Sequence, residues 1–264
     1  MNARSRDEFI PVISPRLHRW FAWYARRYLK RHFNAVRILK ETPAPAETEA
    51  PAVFFLNHAS WWDPLVSIFL AKSFYPNQLS FAPIDAGALK KYAMLRRLGF
   101  FPVERNTLTG ARQFLRTSRA ILAKPHHALW LTPQGRFTDI RSRPVRFEPG
   151  LGHLAGRLPD VQFIPVAMEF LWWTERSPEV LVAFGKPVSF SAASPPASFH
   201  ALMESALAAT QDQLAAASQS RQPAAFTTLL SGKAGVGGFY DFWRRLRARF
   251  RGLPYTPHHH ADPS

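Results

Sequence analysis

The feature that most constrains this chain is the alternation of short β-like runs with longer helical ones through its middle. Runs 52–56 (AVFFL), 79–82 (LSFA), 128–132 (ALWLT), 161–167 (VQFIPVA) and 180–184 (VLVAF) are separated by helical stretches near 64–74, 87–98, 109–123 and 150–157. Strands interleaved with helices pair through crossovers, which predicts an α/β fold: a mostly parallel or mixed central sheet flanked by helices. One more helix is expected over 199–217, after the Ser/Ala/Pro loop 191–198.

Both ends differ in character from this body. Residues 15–40 carry eight Arg/Lys and no acid, and 233–252 carry six against Asp241 alone, so two segments hold +13 of the net charge of +16. In the first, Leu17, Trp20, Phe21, Tyr24 and Tyr28 share one helical face, and the spacing predicts a helix from Pro15 to about Arg37. In the second, Phe239, Phe242, Trp243, Leu246, Phe250 and Leu253 recur at helical spacing opposite five arginines. Basic amphipathic helices of this kind suit an anionic surface. The expected organisation is a membrane-docking helix over 1–40, a core domain over 41–217 that opens on a Pro/Ala/Glu linker (41–52) and that the resemblance named below makes the catalytic domain, and a linker with a second amphipathic segment over 218–264.

Composition closes several routes. Without cysteine there is no disulfide, thiolate metal site or cysteine nucleophile. No run reaches the roughly 18 apolar residues of a spanning helix, and Met1–Ile10 has no apolar signal-peptide core. The expected location is therefore peripheral, on the cytoplasmic face of a membrane. The triplet His258–His260 reads as a solvated tail, and no metal site is expected.

The most informative segment is Asn57-His58-Ala59-Ser60-Trp61-Trp62-Asp63-Pro64, between a buried-looking strand and an apolar helix. Asp63-Pro64 reads as a helix start, with Asp63 as N-cap. The turn is short enough to fold the His58 imidazole back onto that carboxylate, which fixes the tautomer and leaves the other ring nitrogen free as a base. Spacing alone is equally served by a surface histidine beside an ordinary cap. Trp61 and Trp62, beside His58, suit the wall of an apolar tunnel or core filling equally well.

Three further blocks follow in order: Gly99 to Arg105 (GFFPVER), Leu131 to Gly135 (LTPQG) and Phe163 to Val166 (FIPV). With His58-x4-Asp63 and the preceding Asn57, this series resembles the glycerolipid acyltransferase superfamily typified by lysophosphatidate acyltransferases. The resemblance implies an acyltransferase that moves a fatty acyl group from acyl-CoA or acyl-carrier protein, as co-substrate and with no cofactor, to a hydroxyl of a lipid acceptor. His58 and Asp63 are the implied general-base pair. Asn57, Glu104, Arg105, Gln134, Gly135, Arg136 and Pro165 are the implied substrate-binding residues, with Arg105 holding an acceptor phosphate and Glu104 orienting it. No Gly-x-Ser-x-Gly elbow is present, so no acyl-serine intermediate is expected.

The third block departs from the family pattern. Gln134 stands where an acid is usual, and Arg136-Phe137 replaces the usual Thr-Arg. The default acceptor is 1-acyl-glycerol-3-phosphate or another lysophospholipid. A non-phosphate lipid alcohol, glycolipid or isoprenoid, remains open on these residues. The partners expected are an anionic membrane surface, the lipid acceptor and the acyl donor. The competing class, a basic nucleic-acid-binding protein, is disfavoured by the nearly neutral body and the lack of a recognised nucleic-acid motif.

Overall fold

A computed structural model describes residues 10–158, 161–188 and 196–232. Chain order begins with α1 (Pro15–His32), β1 (Ala35–Leu39), β2 (Ala52–Leu56), α2 (Asp63–Phe74), β3 (Leu79–Asp85), α3 (Ala86–Lys91) and a 3-10 helix (Ala93–Leu98). It continues with β4 (Phe100–Val103), α4 (Leu108–Leu122), β5 (His127–Leu131), α5 (Gly150–Ala155), β6 (Gln162–Leu171), β7 (Glu179–Phe184), α6 (Pro196–Gln219) and β8 (Phe226–Ser231). The eight strands form one sheet in the order β4-β3-β5-β2-β6-β7-β1-β8. From β4 to β6 all neighbours are parallel. β7 runs antiparallel to β6, β1 parallel to β7, and β8 antiparallel to β1. The fold is the expected α/β class, with a mixed sheet flanked by helices.

β2 lies at the centre, and all five of its residues are buried. Successive strand side chains point to opposite faces, so β2 builds two cores at once. Phe54 packs with Leu29, Val66, Leu70, Trp130 and Phe184 beneath α1 and α2. Val53 and Phe55 pack with Ile121, Leu151, Phe163 and Leu207 beneath α4, α5 and α6. The Phe54 ring stacks on Trp130 at 4.2 Å between centroids. The functional turn thus leaves a strand that is packed on both faces.

Three strands, β1, β4 and β8, lie outside the sequence expectation. The first helix ends at His32, not near Arg37, because Phe33 adopts extended backbone and the β-branched run AVRIL pairs with β7 and β8. Asn34 secures the change of direction by donating from Nδ2 to the buried Glu179 Oε1 at 2.7 Å. The sheet therefore begins at Ala35 and ends at Ser231, so it overruns the catalytic boundaries drawn at 41 and 217 on both sides. The expected helix over 87–98 is broken at Tyr92 into α3 and the 3-10 helix. The linker is pinned, since Glu47 accepts bonds from the Asn77 and Gln78 backbone N–H groups.

No described helix is long and apolar enough to cross a membrane. The second amphipathic segment, 239–253, and the triplet His258–His260 lie outside the described residues.

Because Phe54 is 1 % exposed and serves as the hub of the larger core, Phe54→Ala is expected to cost about 3–5 kcal/mol. Denaturant unfolding should read this as a lower midpoint with unchanged slope.

Candidate active site

The strand β2 ends at Leu56, and the turn that follows is held on three sides. Asn57 is buried, and its amide makes a reciprocal pair with β6: Nδ2 donates to Met168 O at 2.9 Å, and Met168 N–H donates to Oδ1 at 2.8 Å. The His58 N–H donates to Gln134 Oε1 at 2.7 Å. The Thr138 N–H donates to the His58 carbonyl at 2.8 Å. Trp62, at the far end of the turn, is wedged edge-on against Phe33, with Tyr28 and His32 beside it.

With its backbone fixed, His58 turns its imidazole to Asp63, and Nδ1 lies 2.7 Å from Oδ2. The same oxygen accepts from the Ser60 N–H at 3.1 Å. Asp63 is the first residue of α2 rather than its N-cap, a place occupied by Trp62. Its carboxylate still sits at the positive end of the helix dipole, which favours the anion. Burial works the other way and raises the Asp63 pKa; the bonds from His58 and Ser60 offset this only in part. Oδ1 has no hydrogen-bond partner among the described residues, so the anion is held by one oxygen and is costly to bury.

A cavity of about 510 Å³ opens next to the turn at Ala59 and Ser60, and His58 itself is not among its lining residues. Ala59, Ser60, Phe137, Ile140, Glu169 and Phe170 are among its lining residues, and the Phe137 ring lies 4.4 Å from that of His58. Glu169 has its pKa raised by burial, against the pull of a bond from Ser218. The cation in the lining, Arg141, is engaged by Asp139 through two bonds of 2.9 and 2.7 Å. That pairing holds the exposed Asp139 carboxyl well below its usual range.

The other expected residues fall into two groups. Arg105 is exposed and donates from Nη2 to the Gly135 carbonyl, which ties the second block to the third. Gly135 turns with a positive φ of 65°, and its N–H donates to Thr132 O at 3.1 Å. Gln134 is buried, with its amide oxygen on the His58 N–H, a duty that needs an acceptor and no charge. Arg136 is exposed next to Phe137. Glu104 is also exposed, but among the described residues no ion pair joins it to Arg105, so nothing here orients that guanidinium through Glu104. Pro165 is buried in β6 opposite Phe55, its carbonyl accepting from the Gly185 N–H at 2.8 Å; it packs in the sheet and does not line the cavity. Arg143 and Arg146, both near the third block, pair with Asp212 and Glu204 of α6.

Sequence reasoning missed Phe137 and Glu169 as cavity residues, and Gly110 as a support. A Cβ at position 110 would lie 1.8 Å from the Glu104 carbonyl oxygen. Glycine there lets α4 start directly on the Glu104–Arg105 turn. Phe137 had a signal, its place in the departing third block; a lone Gly after Leu-Thr had none. No cluster of three or more His, Asp or Glu that could hold a metal ion occurs among the described residues.

Comparison with known proteins identifies the family. No curated protein matches the chain. Among solved structures it is similar to the 1-acyl-sn-glycerophosphate (LPA) acyltransferase PlsC from Thermotoga maritima. Identity is 14 % over 74 % of this chain and 79 % of that one, with a TM-score of 0.47. The family model described as Acyltransferase matches residues 35–169. That span is just over half of the chain and takes in every strand from β1 to nearly the end of β6. The protein therefore belongs to the acyltransferase family and is an acyltransferase.

Proposed function

We propose that the enzyme transfers a fatty acyl group from a thioester, acyl-CoA or acyl-carrier protein, to a hydroxyl of a lipid acceptor, with His58 as general base. The observation that supports this reading best is the 2.7 Å contact between His58 Nδ1 and Asp63 Oδ2. An ionised Asp63 keeps the ring proton on Nδ1. Nε2 is then the free lone pair that takes the proton as the acceptor oxygen attacks the thioester carbon. The tetrahedral intermediate collapses with loss of the thiolate, and the imidazolium returns its proton to the leaving sulfur. An alcohol is a poor nucleophile at neutral pH, and such proton removal is worth roughly 10²–10⁴-fold. Asn57, Gln134 and Thr138 act through the backbone of the turn, keeping the imidazole in register.

A phosphate-bearing acceptor, 1-acyl-glycerol-3-phosphate or another lysophospholipid, is the default, with Arg105 as its contact. A second reading, a non-phosphate lipid alcohol, is favoured by the cavity lining, where Glu169 and the Asp139–Arg141 pair leave no cation in excess. The enzyme works at a membrane surface, docked through α1, on the cytoplasmic side.

Incubated with labelled acyl-CoA and a total lipid extract, the purified protein is expected to place the label on one lipid class, which mass measurement identifies. His58→Ala should lower this transfer by about 10²–10⁴-fold with an unchanged circular dichroism spectrum. Full transfer by a folded His58→Ala protein would sink the mechanism.

Asp63→Asn separates function from stability. The amide donates to Nδ1 and so shifts the ring proton to Nε2, removing the base; turnover should fall by about 10²-fold or more. The folded Asp63 pKa lies above its unfolded value, so the folded state binds the proton more tightly. Its contribution to stability is full below the ordinary aspartate range and declines as pH rises through the raised value. The neutral amide abolishes that decline, and the thermal midpoint at neutral pH should stay level or rise. A marked fall would contradict the assigned burial cost.

Arg105→Ala should raise KM about tenfold or more for a phosphate-bearing acceptor and leave KM for a phosphate-free alcohol unchanged. Steady-state kinetics with both acceptors distinguishes the two readings.

A further inference from the structure

A second segment, to which the catalytic site gives no role, stands beside α1. α3 and the 3-10 helix, residues 86–98, join the body through Leu89, Leu95 and Leu98, which pack with Leu17 and Phe21 of α1. The Ser14 N–H donates to the Arg97 carbonyl at 2.9 Å, locking the two segments together at the helix start. Outside this seam the segment shows water an unusual set of side chains. Tyr92 is 54 % and Met94 45 % exposed, while Lys90, Lys91, Arg96 and Arg97 are exposed around them. No acidic residue lies between 86 and 98. Lys91 lies over the Tyr92 ring at 5.4 Å.

The neighbouring flank of α1 has the same chemistry. Trp20 stacks on Tyr24, and Tyr24 on Tyr28, at 5.8 and 5.5 Å. Tyr28 reaches Trp62 at 5.4 Å, and Trp62 stacks on Trp61 at 4.6 Å. Trp20 and Trp61, the two ends of this aromatic stack, are 51 % and 57 % exposed. The seam residues Leu17 and Phe21 belong to the same helical stripe as Tyr24 and Tyr28, so the 86–98 segment borders the stack. Exposed aromatics and Met rimmed by Lys and Arg, drawn from two segments, mark an interaction surface. The charge selects an anionic partner, and the aromatic tips select one with an apolar interior below its charged face.

We propose that residues 86–98 form a second contact with an anionic lipid bilayer, coplanar with the aromatic flank of α1, and that this face ends at the Trp61–Trp62 turn. Two contacts fix the tilt of the body where one helix allows it to swing, so the His58 turn is held at the level of the lipid headgroups. The inference rests on the membrane-docking reading above and names the surface that performs it.

The test uses the full chain and flotation with phosphatidylcholine vesicles, with and without phosphatidylglycerol. Tyr92→Ser combined with Met94→Ser should reduce partition onto anionic vesicles about tenfold, with unchanged thermal midpoint and unchanged turnover of a dispersed, short-chain acceptor. Lys90→Glu with Lys91→Glu should weaken partition and flatten its dependence on salt. Wild-type partition in both double variants would overturn the second contact while leaving docking through α1 intact. A wild-type protein that ignores anionic vesicles and instead shifts RNA in a gel would overturn both the contact and the membrane reading beneath it.

Discussion

A single carboxylate oxygen, Asp63 Oδ2, governs the geometry of the site. It closes the turn by accepting the Ser60 N–H and orients the imidazole through Nδ1, while its companion oxygen goes unpaired among the described residues in a buried place. The arrangement sacrifices solvation for position, and the body of the fold supplies what makes it tenable. β2 is clamped between β5 and β6, the Asn57 amide grips both polar groups of Met168, and Gln134 and Thr138 hold the two backbone groups of His58. An amide side chain offers a donor and an acceptor at once, where an ionised carboxylate of the same shape only accepts. That explains Asn57 and not Asp at the end of β2.

The same view changes the meaning of Gln134. Loss of the usual acid suggested an altered acceptor pocket, since a charge had gone. In the fold that side chain faces the His58 backbone, where an amide oxygen serves as well as a carboxylate. The substitution that alters the cavity more directly is Phe137, which brings a ring against the imidazole, and the two carboxyl groups of Asp139 and Glu169 add to its polar lining.

Much of this was legible in the sequence, for identifiable reasons. The strands from 52 to 184, β4 apart, announce themselves because most are short apolar runs bounded by helices, and His58 with Asp63 because both lie on one local turn. What escaped depended on distant partners. AVRIL at 35–39 follows an amphipathic helix without a break in hydrophobicity, and only pairing with β7 and β8 makes it a strand. FTTLLS at 226–231 is too short to stand out alone. Glu169 enters the cavity because Asn57, over a hundred residues earlier, fixes the adjacent Met168. Pro165 was misleading for the opposite reason, since a motif proline in sequence is a packed strand residue in space.

The strand order has a consequence for how the chain is made. β1 finds its strand neighbours only in β7 and β8, both far along the sequence, so its pairing waits for the end of the described chain. α1 is differently placed, since it packs on α2 and on the 3-10 helix, both close to it in sequence. Sequence separation of this size slows final assembly and leaves apolar surface unguarded meanwhile. The mostly buried residues of β1 are therefore among the last parts of the core to be enclosed.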